Sequence, residues 1–584
     1  MCGIGGIILR NNKKIDENHL NQIKIISESQ TERGPDSSKL YWEEDFVFSH
    51  NRLAIIDLSS SGDQPMSYKD WVIVFNGEIY NYKELKELLI NENITFDGNS
   101  DTEVLLKLIV HKGIDESLRL INGIFAFCIF NKVSKDFYLV RDRMGEKPLF
   151  YYLDDENNLY FSSNPSSIVK SLREREWILD RECLWEFFSL GGFFTEKTLF
   201  KGISRLDSSC VIKGNQEKFE LERYWLPSFK KDITNDDVIS QIKKSIYSRT
   251  VSDVPIVLFL SGGVDSSAVA ATLKNIQAVH LFSAEVEHAK KIANLFNIDL
   301  SIIKPSDFDV KDIVTKYVDF SGEPTMGGFV PFITSKSVSE THKVALSANG
   351  ADELFFGYVR IPTPNINNEI FKKRQSVSKL HVDRTAGTPK EQKYHIFRHP
   401  DNFSVPILGV KKTESDLNTL LDNTIPVISS EFPESSRYRW FELMTYVKGD
   451  LNSTLDFSSM ANSLEVRAPF LDHDLVEVAL SVDENRHISK KYGRKHFLKT
   501  ILENEGVPST IWDREKLGFS LITSYKESID ELKSKAVDEL TKLGFLNIHC
   551  EKFEKGRDRE YLKTSAFGFY CWKQVWMDSG IVKL

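Results

Sequence analysis

Short apolar runs dominate the first 215 residues of the chain, and their spacing predicts strands. Six segments are rich in β-branched and aromatic residues and are bounded by Asn, Asp and Gly. In two further segments, leucines and isoleucines recur every three or four positions, which is helical spacing. Asp101 stands at the expected N-cap of the second helix, with Ser100 as the competing cap. The predicted strands are 3–9, 46–50, 71–75, 125–130, 137–141 and 159–162, and the predicted helices are 82–92 and 102–112.

The pattern changes after a polar stretch at 214–227. A continuous apolar strand is followed there by a glycine turn and a helix, and strands and helices then alternate. This alternation predicts a doubly wound parallel sheet covered on both faces. Beyond about residue 357 the pattern is mostly helical, and we expect the polar segment 362–398 to be mobile. The predicted strands are 254–260, 279–282, 298–303 and 343–347, and the predicted helices are 266–274 and 285–296.

Length and composition narrow the class of protein. A chain of 584 residues is too long to form a single hydrophobic core, and we expect two domains, at 1–215 and 225–584. The net charge of −9 disfavours nonspecific nucleic-acid binding. No apolar run approaches the ~20 residues of a membrane span, and the N-terminus lacks a signal pattern. The six cysteines form no CxxC pair and no zinc spacing, so we expect reduced thiols in a cytoplasmic enzyme.

Cys2 is the first candidate for chemistry, because it directly follows the initiator Met. If Met1 is removed, the thiol and a free α-amino group lie on one residue. An α-amine titrates near ~7.7–8.0 and can accept a proton at neutral pH. A nucleophile that carries its own base needs no separate histidine. Taken alone, the position is more typical of a small apolar residue at a frayed end, and the motifs in the rest of the chain favour the nucleophile instead.

A glycine-rich loop follows the predicted strand 254–260 and carries the sequence Ser261-Gly262-Gly263-Val264-Asp265-Ser266-Ser267. Two glycines allow a tight turn, so that backbone N–H groups and a helix N-terminus can face one anion. The hydroxyls add donors, and Asp265 can hold Mg²⁺ on the same phosphates. The loop lacks the GK[ST] ending of a Walker motif, which disfavours γ-phosphoryl transfer. It resembles the pyrophosphate loop of ATP pyrophosphatases.

A second loop, at 347–353, follows another buried strand and leads toward a helix. In a doubly wound sheet both loops open at the carboxyl ends of strands, where ligands bind. We therefore expect Asp352 to face Asp265 across one magnesium–triphosphate. An ordinary strand-to-helix connection is the alternative for this loop.

With these motifs the chain resembles the glutamine-dependent asparagine synthetases over nearly its whole length. The resemblance implies an N-terminal class II glutamine amidotransferase domain, an Ntn-hydrolase-type αββα sandwich, followed by an ATP-pyrophosphatase-type synthetase domain. It implies glutamine, ATP, Mg²⁺ and a carboxylic acid, with aspartate as the default acceptor. The further motifs that carry it are Arg33-Gly34-Pro35-Asp36, His50-Asn51-Arg52-Leu53, Gln64-Pro65, Asn76-Gly77-Glu78-Ile79-Tyr80-Asn81, Ser100-Asp101-Thr102-Glu103 and Ser463-Leu464-Glu465-Val466-Arg467-Ala468-Pro469-Phe470-Leu471-Asp472.

The family's motifs imply a role for each matching residue. Asn76 and the Gly77 amide would form the oxyanion hole of glutamine hydrolysis. Arg52 would bind the α-carboxylate of glutamine, and Glu78 with Asp101 its α-ammonium. Lys495 would reach the α-phosphate of ATP, although Lys490 and Lys491 lie nearby. The expected ATP-binding set is Leu260, Ser261, Gly262, Gly263, Asp265, Ser266, Ser267, Ser283, Ser347 and Gly350.

Three departures from the family pattern bear on the acceptor. Asn349 stands where a carboxylate is usual, and an amide offers no negative charge. The segment 279–303 is shorter than is usual in the family, which would make the pocket for the adenine smaller. Phe457 stands where the family more often has an arginine. A sugar acid of surface-polysaccharide synthesis is therefore an alternative acceptor. Nucleotide modification and a noncatalytic relative are the alternative classes, and the sequence leaves open whether the chain is a monomer or a homodimer.

Overall fold

The computed structural model of the protein describes residues 2–11, 13–304, 308–358, 361, 407–408, 410, 414–514, 523–546 and 557–584. The segment 362–398 and Cys550 lie outside these residues. The other five cysteines are buried free thiols, as expected from their spacing. In the described part of the chain, no helix is both long and apolar enough to cross a membrane.

The first unit contains two antiparallel sheets of six strands each. Alternate residues of their strands, such as Ile4, Phe48 and Val74, form one buried apolar cluster between the sheets. Helices Glu17–Glu28 and Pro165–Ser171 pack on the first sheet, and Asp101–Lys112 packs on the second. In spatial order, the first sheet is Ser204–Arg205, Phe150–Leu153, Leu159–Ser162, Gly3–Ile8, Phe46–Arg52 and Ser37–Trp42, and the second is Phe219–Arg223, Cys210–Gly214, Phe137–Arg141, Gly123–Asn131, Trp71–Ile79 and Met66–Tyr68. The αββα prediction is confirmed.

All six predicted strands and both predicted helices of this unit are present; the strands Phe137–Arg141 and Leu159–Ser162 have the predicted ends, and the other elements have shifted ends. One cap prediction is wrong: Ser100, not Asp101, caps the second helix, since the Ser100 hydroxyl accepts from the Glu103 N–H at 3.2 Å. The further helices of this unit are Tyr82–Asn91, Ile114–Leu120 and Arg181–Leu190.

The second unit is built on a parallel sheet of five strands, in the order Leu300–Ile303, Gln277–Leu281, Ile256–Phe259, Val344–Leu346 and Glu465–Arg467. One face packs Val257 and Ala345 against Val338, and the other buries Leu258 and Leu346 in the main core. The expectation of a parallel sheet covered on both faces is confirmed. Its helices are Asn235–Ser248, Val264–Leu273, Val286–Leu295, Val310–Ser321, Phe329–Val338 and Ala351–Leu354.

The remaining described residues of the second unit are mostly helical, as the sequence predicts. A π-helical stretch at Leu443–Leu451 joins two α-helices that flank it. The helices are Glu414–Thr424, Glu434–Glu442, Asn452–Met460, His473–Ser481, Glu484–His487, His496–Asn504, Ser509–Trp512, Thr523–Lys542 and Arg557–Trp576.

The end of the described chain returns to the first unit. Strand Val582–Lys583 pairs in parallel with Trp177–Ile178. In the helix before it, the rings of Trp572 and Trp576 pack on Phe200, with ring centroids 5.5 and 5.1 Å apart. The strand 219–223 also belongs to a sheet of the first unit, and the expected boundary at 215–225 stays a prediction.

Candidate active sites

Cys2 is buried at the start of the strand Gly3–Ile8. Its backbone N–H donates to Oδ1 of Asn76 at 3.0 Å. Nδ2 of Asn76 is buried and has no hydrogen-bond partner among the described residues. A Cβ at Gly77 would lie 2.0 Å from the carbonyl oxygen of Ile124, so only glycine fits there. Among the described residues, Nδ2 of Asn76 is therefore a hydrogen-bond donor without an acceptor beside the candidate nucleophile, as an oxyanion hole requires.

Burial raises the pKa of the Cys2 thiol. The charge of the neighbouring N-terminal amine and a backbone hydrogen bond from Leu53 oppose this shift. A buried thiol becomes nucleophilic when a nearby base takes its proton. Because Met1 lies outside the described residues, the α-amine as base stays a prediction.

The two expected ammonium ligands, Glu78 and Asp101, are both buried. Asp101 accepts from the backbone N–H of Ile79 at 2.9 Å, and burial raises the pKa of its carboxyl to about 6. Burial, together with the negative charges of Glu465 and Asp101, raises the pKa of Glu78 well above its usual value. A bound ammonium would relieve this crowding of carboxylates.

Arg52 is buried beside the turn at 56–63. Nη1 donates to the carbonyl of Ser59 at 2.7 Å and to the carboxylate of Asp63 at 2.8 Å. Its other terminal nitrogen contacts the carbonyl of Asp57. The guanidinium thus orders this turn, and its role toward a glutamine carboxylate stays a prediction.

The glycine-rich loop lies where the sequence predicts it, between the strand Ile256–Phe259 and the helix Val264–Leu273. Gly262 has a φ of +79°, and a Cβ there would lie 2.6 Å from the backbone nitrogen of Ala289. The hydroxyls of Ser261 and Ser266 are 2.9 Å apart. The turn is thus tight, and its hydroxyls lie at the helix N-terminus, which is the arrangement that suits an anion.

Asp265 and Asp352 converge on Lys495. The lysine Nζ lies 2.6 Å from Oδ1 of Asp265 and 2.5 Å from Oδ1 of Asp352. Burial disfavours the ammonium charge, but the two carboxylates outweigh it and raise the pKa of Lys495. Three residues that are far apart in sequence therefore meet at the carboxyl ends of two neighbouring strands.

These two loops open into a cleft of about 1320 Å³. Of the expected ATP-binding set, Gly262, Ser267 and Gly350 do not line the cleft. Ser267 is fully buried in its helix, and a Cβ at Gly350 would lie 2.5 Å from Leu471; the ATP-binding role of these three positions stays a prediction. The described lining includes Leu260, Ser261, Gly263, Asp265, Ser266, Ser283, Ser347, Asn349 and Asp352.

The carboxylates at this cleft suit a Mg²⁺ ion whose other ligands are phosphate oxygens and water. Among the described residues, no group of three or more His, Cys, Asp or Glu side chains could hold a metal by itself. Mg²⁺ commonly takes one or two carboxylates and completes its shell with phosphates and water. Asp265 and Asp352 already share one cation, the Lys495 ammonium, so two carboxylates with phosphate oxygens fit the ion.

Arg514 and Glu285, which lie beside the glycine-rich loop, were not predicted from the sequence. Arg514 donates to a carboxylate oxygen of Glu285 at 2.8 Å and to the carbonyl of Gly262 at 3.2 Å. It therefore supports the back of the glycine-rich loop. No motif marks Arg514, because its partners lie more than 200 positions away.

Phe457 is not among the described residues that line the cleft, and its bearing on the acceptor stays a prediction. It is fully buried, and its ring centroid lies 6.2 Å from that of Phe150 in the first unit and 6.3 Å from that of Tyr317. The aromatic side chain thus fills the contact between the two units.

Comparison with known families and proteins supports these observations. A family model described as a glutamine amidotransferase domain matches residues 1–225, and one described as asparagine synthase matches 237–568. Asparagine synthetase [glutamine-hydrolyzing] 1 of Bacillus subtilis is 31% identical over 89% of this chain and 87% of its own length. The chain belongs to the glutamine-hydrolysing asparagine synthetase family.

A second relative and one solved structure extend this comparison. Asparagine synthetase [glutamine-hydrolyzing] 3 of B. subtilis is 27% identical over 88% of this chain and 86% of its own. Among solved structures, a glutamine phosphoribosylpyrophosphate amidotransferase from B. subtilis covers 52% of this chain and 65% of its own, at 15% identity and a TM-score of 0.29. Family membership makes the chain an ATP-dependent amidotransferase ligase.

Proposed function

We propose that the chain moves the amide nitrogen of glutamine onto a carboxylate activated by ATP, with aspartate as the acceptor and asparagine as the product. The observation that carries this proposal is the convergence of Asp265, Asp352 and Lys495 at the mouth of the glycine-rich loop. The family resemblance and the buried Cys2 beside Asn76 support the other half of the reaction, the release of ammonia from glutamine.

In the first half-reaction, the Cys2 sulfur attacks the side-chain carbonyl of glutamine. The oxyanion that forms accepts hydrogen bonds from Nδ2 of Asn76 and from the Gly77 amide. Collapse of this intermediate, with the thiol proton passed to the leaving nitrogen, releases ammonia and leaves a thioester on Cys2, which water hydrolyses to glutamate. Asn76 suits this role because its Nδ2 is buried without another acceptor among the described residues.

In the second half-reaction, the acceptor carboxylate attacks the α-phosphorus of ATP, and pyrophosphate leaves. Asp265 and Asp352 would hold Mg²⁺ on the phosphates, and Mg²⁺ would neutralise the charge of the leaving group. Lys495 would then turn its ammonium from the aspartates toward the α-phosphate and stabilise the charge that develops there. Ammonia attacks the acyl adenylate, giving the amide and AMP.

Asn349 favours one alternative, the same chemistry on a sugar acid. Its side chain is at the cleft, and its backbone N–H donates to the hydroxyl of Ser347 at 3.4 Å. An amide can donate to and accept from hydroxyls but cannot pair with the α-ammonium of aspartate by charge. A site built for hydroxyls can discriminate by ~10⁴–10⁵ against analogues that lack them.

The test is to incubate the protein with glutamine, Mg-ATP and a panel of acids that includes aspartate and several uronates. AMP, pyrophosphate and glutamate are measured together. We expect AMP and glutamate to form in equal amounts with aspartate. Formation of ADP in place of AMP would overturn the adenylation step, and AMP formation with a uronate alone would select the alternative acceptor.

A further inference from the structure

Arg33 is a buried cation that contacts the backbone of the candidate nucleophile. Its Nε donates to the carbonyl oxygen of Cys2 at 3.1 Å. Its Nη1 donates to Oδ1 of Asn164 at 3.2 Å and to Oδ2 of Asp456 at 2.8 Å. The Arg33 side chain is 0% exposed and that of Asp456 is 3% exposed. One guanidinium therefore joins Cys2 to a carboxylate of the second unit.

Asp456 reaches this position from the helix Asn452–Met460. Thr454 and Leu455 of the same helix line the nucleotide cleft, as does Leu451 just before it. One side of the helix therefore faces the cleft of the second unit, and another carries the carboxylate that enters the first unit.

A buried guanidinium needs a counter-charge, because it stays protonated and its desolvation costs several kcal/mol. Asp456 is the only carboxylate within 4.0 Å of the Arg33 nitrogens in the described part of the chain. Lys147 lies 3.7 Å from the other oxygen of Asp456, which adds positive charge at the same place. Without Asp456, Arg33 and Lys147 would thus lose the carboxylate that lies between them.

We propose that Asp456 is a positioning residue for glutamine hydrolysis: it holds Arg33, and Arg33 holds the Cys2 backbone. The proposal rests on the proposed function of Cys2. The backbone of Cys2 is fixed on both sides, at its nitrogen by Asn76 and at its carbonyl by Arg33. The second unit thereby completes the nucleophile site of the first, and the helix that completes it also borders the nucleotide cleft.

Removing Asp456 frees the guanidinium to swing away from the Cys2 carbonyl. A displacement of about 1 Å at a reacting group can cost ~10²-fold in rate. We therefore expect Asp456→Ala to lower kcat for glutamate release from glutamine by ~10²-fold. The KM for glutamine should change by less than about threefold, because Arg52, Glu78 and Asp101 are untouched.

The experiment measures glutamate release and, separately, ammonia-dependent AMP formation in the full chain. Asp456→Asn keeps an acceptor oxygen for Arg33, so we expect its kcat for glutamate release to be at least tenfold higher than that of Asp456→Ala. Lys448→Met is the matched control: Lys448 lies just before this helix and pairs at 2.6 Å with Asp207 of the first unit, with side chains 4% and 5% exposed. It removes an equally buried contact between the units without touching Arg33 or Cys2, so glutamate release should stay within about twofold.

Ammonia-dependent AMP formation reports whether the variants fold. If Asp456→Ala loses that activity too, the variant Arg33→Lys provides the test. Its single ammonium cannot bind both the Cys2 carbonyl and Asp456 in the fork geometry of arginine. We expect Arg33→Lys to lose glutamate release but to keep ammonia-dependent AMP formation. The inference is overturned if the decisive variant keeps kcat within threefold, or if Lys448→Met loses as much. Failure of the native chain to hydrolyse glutamine would instead overturn the proposed function.

Discussion

Replacing Lys495 by Met should destabilise the second unit and make its stability depend on Mg²⁺. Both carboxylate oxygens contact the same nitrogen, at 2.6 and 2.5 Å, so they lie within about 5 Å of each other. At an effective dielectric constant near 20, two such charges repel by about 3 kcal/mol. This agrees with the ~3–5 kcal/mol lost when one partner of a buried ion pair is removed.

That loss converts into a shift of the unfolding midpoint. The second unit contains roughly 350 residues, and an unfolding entropy of ~2.1 cal/mol/K per residue gives about 0.7 kcal/mol/K. A loss of 3 kcal/mol should then lower the midpoint by about 4 °C when EDTA removes Mg²⁺. Millimolar Mg²⁺ should restore part of the shift in the variant, because the ion replaces the missing ammonium, and it should change the native protein less.

Thermal unfolding followed by tryptophan fluorescence, with EDTA and with Mg²⁺, measures both effects. Lys491→Met is the matched control, since its ammonium pairs with Glu503 on the exposed surface and should leave the midpoint unchanged. The same Lys495→Met variant should form AMP ~10²-fold more slowly while still hydrolysing glutamine. An unchanged midpoint in EDTA, or an equal Mg²⁺ response in native and variant proteins, would refute the reasoning.

Three further outcomes are expected. Cys2→Ala should abolish use of glutamine but leave ammonia-dependent synthesis, as measured by AMP formation with each nitrogen donor; loss of both activities would contradict two separate sites. Because burial raises the pKa of Asp101 to about 6, its carboxylate charge is lost as the pH falls through that value. The KM for glutamine should then rise roughly tenfold per pH unit below it, and Asp101→Asn should remove this dependence. Asn349→Asp should improve aspartate use if the amide marks a changed acceptor; a native chain that already makes asparagine at ordinary enzyme rates, with no gain in the variant, would remove the sugar-acid alternative.

The sequence predicted the strands whose pattern is dictated by burial. Residues such as Phe46 and Phe48 alternate because one face of their sheet forms the core between the two sheets. The strand Glu465–Arg467 was not predicted, since two of its three residues are charged. Those charges are tolerated because Glu465 pairs with Arg467, whose Nη1 also donates to the carbonyl of Arg249 at 2.8 Å. Such compensation exists only in the folded chain.

The parts of the candidate sites that could be predicted are those whose residues lie together in a short sequence motif. Cys2 and the glycine-rich loop are of this kind, since each motif joins its residues within a few positions. The contacts that complete the sites are not local: Lys495 meets Asp265 across 230 positions, and Arg33 meets Asp456 across 423. No spacing rule reaches that far, so these pairs emerge only from tertiary packing, the first within the second unit and the second between the two units.

The pairing of Trp177–Ile178 with Val582–Lys583 imposes an order on biosynthesis. A ribosome that has just made the first strand must add about 400 more residues before its partner exists, which takes roughly 20–80 s at 5–20 residues per second. During that interval the nascent first unit carries an unpaired strand and lacks the indole rings that later cover Phe200. The first unit is thus closed only after the strand Val582–Lys583 has been translated.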